Sequence, residues 1–107
     1  MPKYLVEASL TAEGVRGVQK EGGTSRVKAV TAAIKGLGGK LECYYFAFGE
    51  RDVFLIADFP DNASAASFAM AVGSSGAVRA KTTVLLTPAE VDRAVKRKVG
   101  YRPPGGK

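Results

Sequence analysis

The chain has 107 residues, sixteen Lys or Arg against ten Asp or Glu, and neither His nor Trp. That length supports one hydrophobic core and not two, and the lack of His removes imidazole catalysis and most nitrogen-ligated metal sites. The net charge of +6 is local: from Met1 to Asp92 ten cations balance ten anions, so the whole excess lies in Arg93, Lys96, Arg97, Lys98, Arg102 and Lys107. A neutral body argues against a groove that neutralises several phosphates, so nucleic acid is an unlikely partner. Cys43 is the single cysteine. It reads as a small buried apolar residue in a reducing, cytoplasmic setting. The first residues hold no signal core and no run approaches ~18 apolar residues, so the expectation is a soluble chain with no membrane partner.

In chain order, Lys3 to Leu10 alternates and predicts a first strand. Thr11 stands at a helix N-cap with Glu13 in the first turn. Gly22-Gly23 should break that helix before Thr24 or Ser25 caps a second segment. Val27, Val30, Ala33, Ile34 and Leu37 recur at helical spacing up to Gly38-Gly39. Gly38 to Pro60 then reads as a β-hairpin, two aromatic and aliphatic runs separated by Gly49-Glu50-Arg51-Asp52. Asp61-Asn62 can cap a small-residue helix that ends near Gly73 to Gly76, and Ala77 to Leu86 predicts the last strand. Thr87-Pro88-Ala89-Glu90 carries the capping-box pattern of a short helix reaching about Lys98. The order is β-α-β-β-α-β plus a C-terminal helix, an α+β, ferredoxin-like arrangement with a four-stranded antiparallel sheet. Residues 1–98 form one domain, and 99–107 a flexible, basic, Gly/Pro-rich tail.

Strict alternation assigns the faces. Tyr4, Val6, Ala8, Leu41, Cys43, Tyr45, Ala47, Val53, Leu55, Ala57 and Phe59 go to the helix side. Leu5, Glu7, Ser9, Glu42, Tyr44, Phe46, Phe48, Phe54, Ile56 and Asp58 go to the open side. A solvated sheet face is normally more polar than that, so the open side calls for a cover, most simply a second copy in a two-fold dimer.

Several segments resemble the GYD-domain family of small bacterial and archaeal proteins. They are Pro2-Lys3-Tyr4-Leu5-Val6, Lys20-Glu21-Gly22-Gly23 with Arg26, Gly38-Gly39-Lys40-Leu41, Tyr45 to Gly49, Asp52-Val53, Pro60-Asp61 and Ser75 to Arg79. The resemblance implies a ferredoxin-like fold of the dimeric α+β barrel type, with no established biochemical activity for most members. Arg51 stands where the family usually has the Tyr of its Gly-Tyr-Asp signature.

No catalytic constellation names a reaction. The ligand-binding candidates are Glu7, Ser9, Tyr44 and Asp58, polar groups on an apolar face where a carboxylate could act as acid or base and Tyr44 as a donor to a small oxygenated metabolite. Lys20 and Arg26 flank Gly22-Gly23-Thr24-Ser25 as candidates for an anion site at a helix N-terminus. Gly49 and Asp52 are read as structural turn residues, the Gly at positive φ and the carboxylate accepting turn amides. Neither a metal nor a cofactor is expected. The leading expectation is a homo-oligomer, a dimer or higher even assembly, that binds a small apolar oxygenated metabolite without established catalysis. The runner-up is a cofactor-independent monooxygenase- or isomerase-like enzyme, by fold analogy alone. The basic tail as a nucleic-acid arm ranks below a solvated extension that touches a neighbouring subunit through Tyr101.

Overall fold

The computed structural model describes residues 1–106; the Lys107 end of the basic tail lies outside them. Eight elements follow one another: β1 (Lys3–Leu10), α1 (Ala12–Glu21), α2 (Gly23–Gly36), β2 (Lys40–Phe46), β3 (Val53–Asp58), α3 (Asn62–Ser74), β4 (Val78–Leu85) and α4 (Pro88–Val95). The antiparallel sheet has the order β2-β3-β1-β4, the ferredoxin-like α+β topology. Two β-α-β crossovers lay α1, α2 and α3 on one face. The core lies between them, with Tyr4, Ile34 and Phe59 wholly enclosed. Burying an aliphatic or phenyl side chain of this size contributes about 1.5–3 kcal/mol. The Tyr4 hydroxyl, the polar atom carried into this core, donates to Asn62 Oδ1 at 2.5 Å.

Local chemistry sets the helix ends. Thr11 caps α1 by accepting the Gly14 amide at 3.2 Å, and it also ties the helix to the start of β4: its amide donates to Ala77 O and its hydroxyl to Gly76 O, each at 2.9 Å. The approach is so close that a Cβ at Gly14 would collide with the Ala77 carbonyl oxygen. Gly22, at φ +84°, turns the chain between α1 and α2 and is itself the N-cap of α2. The expected hydroxyl cap from Thr24 or Ser25 is therefore corrected: both lie inside the helix, which has no side-chain cap. Asp61 caps α3 through the Ser64 amide at 2.8 Å.

The face assignment needs a larger correction. Leu41 pairs with Ala57, but Cys43 pairs with Ile56, so Glu42 is an extra residue in β2. One inserted residue reverses every later side chain, because strand periodicity is two. Tyr44 and Phe46 thus lie opposite Leu55 and Val53 on the helix side, while Cys43 and Tyr45 join Ile56 and Phe54 on the open side. Phe48 lies beyond the end of β2, in the 47–52 loop, fully exposed at the open-face end beside Phe54.

After β4, α4 carries the complete capping box, Thr87 Oγ1 accepting from the Glu90 amide and Glu90 from the Thr87 amide. It ends at Val95 rather than Lys98, and none of its residues is buried. Val91, Val95, Val99 and Tyr101 are all exposed along this arm, which contributes to a long dimension of 59 Å against 31 and 22 Å.

The Gly14 approach generates a paired test. Gly14→Ala is expected to lose about 1–3 kcal/mol to overpacking. Gly17→Ala, three residues on, with nothing within 4 Å of the added methyl, should gain up to about 1 kcal/mol in helix propensity. Urea midpoints of the two variants check both signs.

Candidate functional site

On the open face, the directly opposed pairs Leu5 and Ile56, and Glu7 and Phe54, fix the surroundings of the predicted ligand residues. Glu7 is mid-strand with Lys81 opposite it on β4. Ser9 donates from its hydroxyl to Glu50 O at 3.2 Å. Asp58 accepts from Lys3 Nζ at 2.9 Å, and Glu42, the bulge residue, accepts from the same ammonium at 2.5 Å. Along the ladder Phe54, the partner of Glu7, is four residues from Asp58, roughly 13 Å of strand. Glu7 and Asp58 are therefore not a carboxylate pair, and Tyr44 is not with them at all.

The hairpin-turn residues also work differently from their expected roles. Gly49 is not at positive φ. The Asp52 carboxylate accepts the Leu10 amide at 2.8 Å, while its own amide donates to Ala8 O at 2.8 Å. The carboxylate thus fastens the hairpin loop to the end of β1, while the loop is closed by backbone, Asp52 O accepting the Ala47 amide at 2.8 Å. Arg51 lies beside Phe48, Phe54, Glu7 and Lys81 in a shallow open-face hollow.

The more enclosed space is on the other side of the sheet, and sheet geometry accounts for it. Four strands about 4.8 Å apart place the outer two roughly 14 Å from each other, whereas helices in contact have axes about 8–10 Å apart. Here α2 packs mainly over β2 and α3 over β4, so a cleft is left over the central strands. Three hollows open along it. The innermost, about 50 Å³, has Val6, Ala8, Val53 and Leu55 as its floor and Arg26 and Tyr44 as its polar groups. A second, about 210 Å³, lies between α2 and α3 among Val30, Ala33, Phe68 and Val72. A third, about 320 Å³, borders α1 at Gly14, Gly17 and Glu21. Arg26 and Val78 line all three.

Arg26 and Tyr44, predicted as members of two different sites, thus meet in one. Lys20, the other anion-site candidate, is exposed in the last turn of α1 and lines none of these hollows. The resting partner of Arg26 is Glu21, with Nη1 3.7 Å from Oε1; this is long for a charge-assisted bond, and such half-exposed pairs contribute little. Tyr44 stacks edge-on against Phe46, ring centroids 5.2 Å apart. Burial raises its hydroxyl above the ordinary value of 10.0, partly opposed by the nearby Arg26 charge, so it is a neutral donor at pH 7. Among the described residues no buried side-chain polar atom lacks a partner. No His, Cys, Asp or Glu side chains there are grouped as metal ligands, and no helix is long and apolar enough to cross a membrane.

A family model described as GYD domain matches residues 4–95. The chain belongs to the GYD-domain family. The match takes in the sheet from Tyr4 onward, the cleft and α4, so Arg26 and Tyr44 are both within the GYD domain proper. A search of the curated proteins returns no match.

Two groups give a signed pH dependence on the alkaline side. Lys3 is raised above 10.5 by its hydrogen bonds to Glu42 and then Asp58, and Tyr44 is raised above 10.0 by burial. A folded pKa above the unfolded one gives stability that is complete below the unfolded value and lost as pH rises through the folded value. The thermal midpoint should fall above about pH 10, and Tyr44→Phe should fall less steeply there than the wild type. An equal slope in both proteins would exclude the tyrosine contribution.

Proposed function

We propose that this GYD domain binds a small, largely apolar molecule in the cleft between α2 and α3. The observation that carries the reading is the convergence of one guanidinium and one neutral phenol on an otherwise aliphatic and aromatic cavity, the composition of a small-molecule site. A hollow of about 150 Å³ accommodates a single aromatic ring, and the hollow beside Val30 and Phe68 holds about 210 Å³. The innermost hollow, about 50 Å³, is too small for more than a head group or water. Binding is favoured over a cofactor-independent monooxygenase or isomerase because no carboxylate lines that innermost hollow; Glu13 and Glu21 line only the outer one beside α1, and Glu21 faces Arg26.

The second part of the reading is a two-fold dimer through the open face. Its support is the surface formed by Leu5, Tyr45, Phe54 and Ile56 together with Glu7 and Lys81. A copy related by a dyad can set each Glu7 against the partner's cation while covering the aromatics.

Two measurements test these statements. Indole titrated into the labelled protein should give saturable amide shifts at Val30, Phe68 and Val72, and Ala33→Trp, which fills the hollow from α2, should abolish them while keeping the fold. Shifts confined to other residues would refute the cleft. Light scattering at micromolar concentration should report a dimer or a multiple of it, and Phe54→Lys should dissociate it, since an unpaired charge on a buried apolar surface costs several kcal/mol. A monomeric wild type removes the sheet-to-sheet contact.

A further inference from the structure

We infer that the ligand of the cleft is a carboxylate with a one-ring or similarly sized hydrocarbon body, its anionic head on Arg26 and Tyr44. The inference rests on the cleft being the binding site and adds the chemical class of what it takes. Arg26 lines all three hollows, so a molecule occupying the apolar part can bring one end within reach of the guanidinium. The planar fork of an arginine matches a carboxylate with two parallel N–H···O bonds. Its present partner does not use that capacity: Glu21 approaches from the adjacent helix end at 3.7 Å, with both side chains about 40 % exposed. An incoming carboxylate can therefore replace Glu21 at little cost, because the pair it breaks is worth little.

Tyr44 supplies the second contact. Among the described residues its hydroxyl takes part in no hydrogen bond and is not sealed from solvent, and the side chain lines the innermost hollow beside Arg26. A neutral phenol beside a guanidinium donates to an anion and gives no preference to a cation. The remaining lining is aliphatic and aromatic except for Ser75, whose hydroxyl is already engaged, donating to Val72 O at 2.7 Å and accepting the Ala77 amide at 3.2 Å, so little is left to recognise a sugar or a second charged group. A polyanion such as a nucleotide is disfavoured for the same reason, since Arg26 is the lone cation among the lining residues. The chemistry that fits is one negative charge on an apolar body.

The full chain, labelled with ¹⁵N, distinguishes this inference from the reading beneath it when titrated separately with phenylacetate and with its neutral isostere phenylacetamide. Phenylacetate is expected to move the amides of Arg26, Val30, Val72 and Val78 with an affinity about tenfold higher than phenylacetamide, the usual range for a hydrogen bond to a charged group. Arg26→Gln should erase that difference while leaving both probes in the cleft, and Glu21→Gln, which frees the guanidinium, should tighten phenylacetate by up to about fivefold. Equal affinities of the two probes for the wild type would overturn the carboxylate and leave the cleft standing. Movement of these amides by neither probe would overturn the cleft itself. A phenylacetate advantage that survives Arg26→Gln would show that the anion is held elsewhere and would also overturn the inference.

Discussion

The fold turns on a parity constraint in β2. A strand can present a given side chain to only one face, and a single unpaired residue shifts all those after it to the other. With Glu42 inserted, the aromatic run that follows is divided between the two sides: Tyr44 and Phe46 enter the helix layer and Tyr45 the open layer. The bulge is held by electrostatics as well as by backbone. Glu42 and Asp58 converge on Lys3, which joins the irregular edge strand to the two strands beside it. Lose the extra residue, and the phenol leaves the cleft for the opposite surface.

The cleft depends equally on what keeps its walls apart. α1 is clamped to the start of β4 by Thr11 and by the close contact at Gly14, and Asp52 fastens the hairpin loop to the end of β1. These ties fix the frame at the end of the sheet where α1 and the hairpin loop lie. Within it, α2 and α3 each follow an outer strand, and the side chains between them do not span the full distance. The result is an apolar space whose polar groups come from two elements, Arg26 from α2 and Tyr44 from β2, so that neither element alone could assemble it.

Much of this was legible in the residues. Alternation in Lys3 to Leu10, the Thr11 and Asp61 caps and the Thr87 to Glu90 capping box all describe local chemistry, and local chemistry survives in the folded chain. The family match and the ferredoxin-like order agree with the same signals. What could not be read was non-local. A bulge is defined by the register with another strand, and nothing in Lys40 to Phe46 marks Glu42 as the extra residue. Tyr44 was therefore grouped with Glu7 and Asp58, and Arg26 with Lys20, when the register joins Tyr44 to Arg26. Gly14, by its type only a weak helix former, has its reason in the Ala77 carbonyl opposite, sixty-three residues away in the chain. Gly49 invited a positive φ that the longer hairpin loop does not need.

The separation between the neutral body and the cationic arm has an electrokinetic consequence. The sequence pI of about 9.7 is not a property of the sheet and its helices but of the last fifteen residues, so the molecule carries a large permanent dipole directed along its arm. On a negatively charged matrix it will adsorb end-first and elute according to the number of intact arms it carries. A single cleavage after Asp92 would cut α4, none of whose residues is buried, and remove that retention while sparing the sheet and α1 to α3. Ion-exchange behaviour thus reports on chain integrity at one end while being nearly blind to the fold, and in an assembly of several subunits it counts the ends that remain.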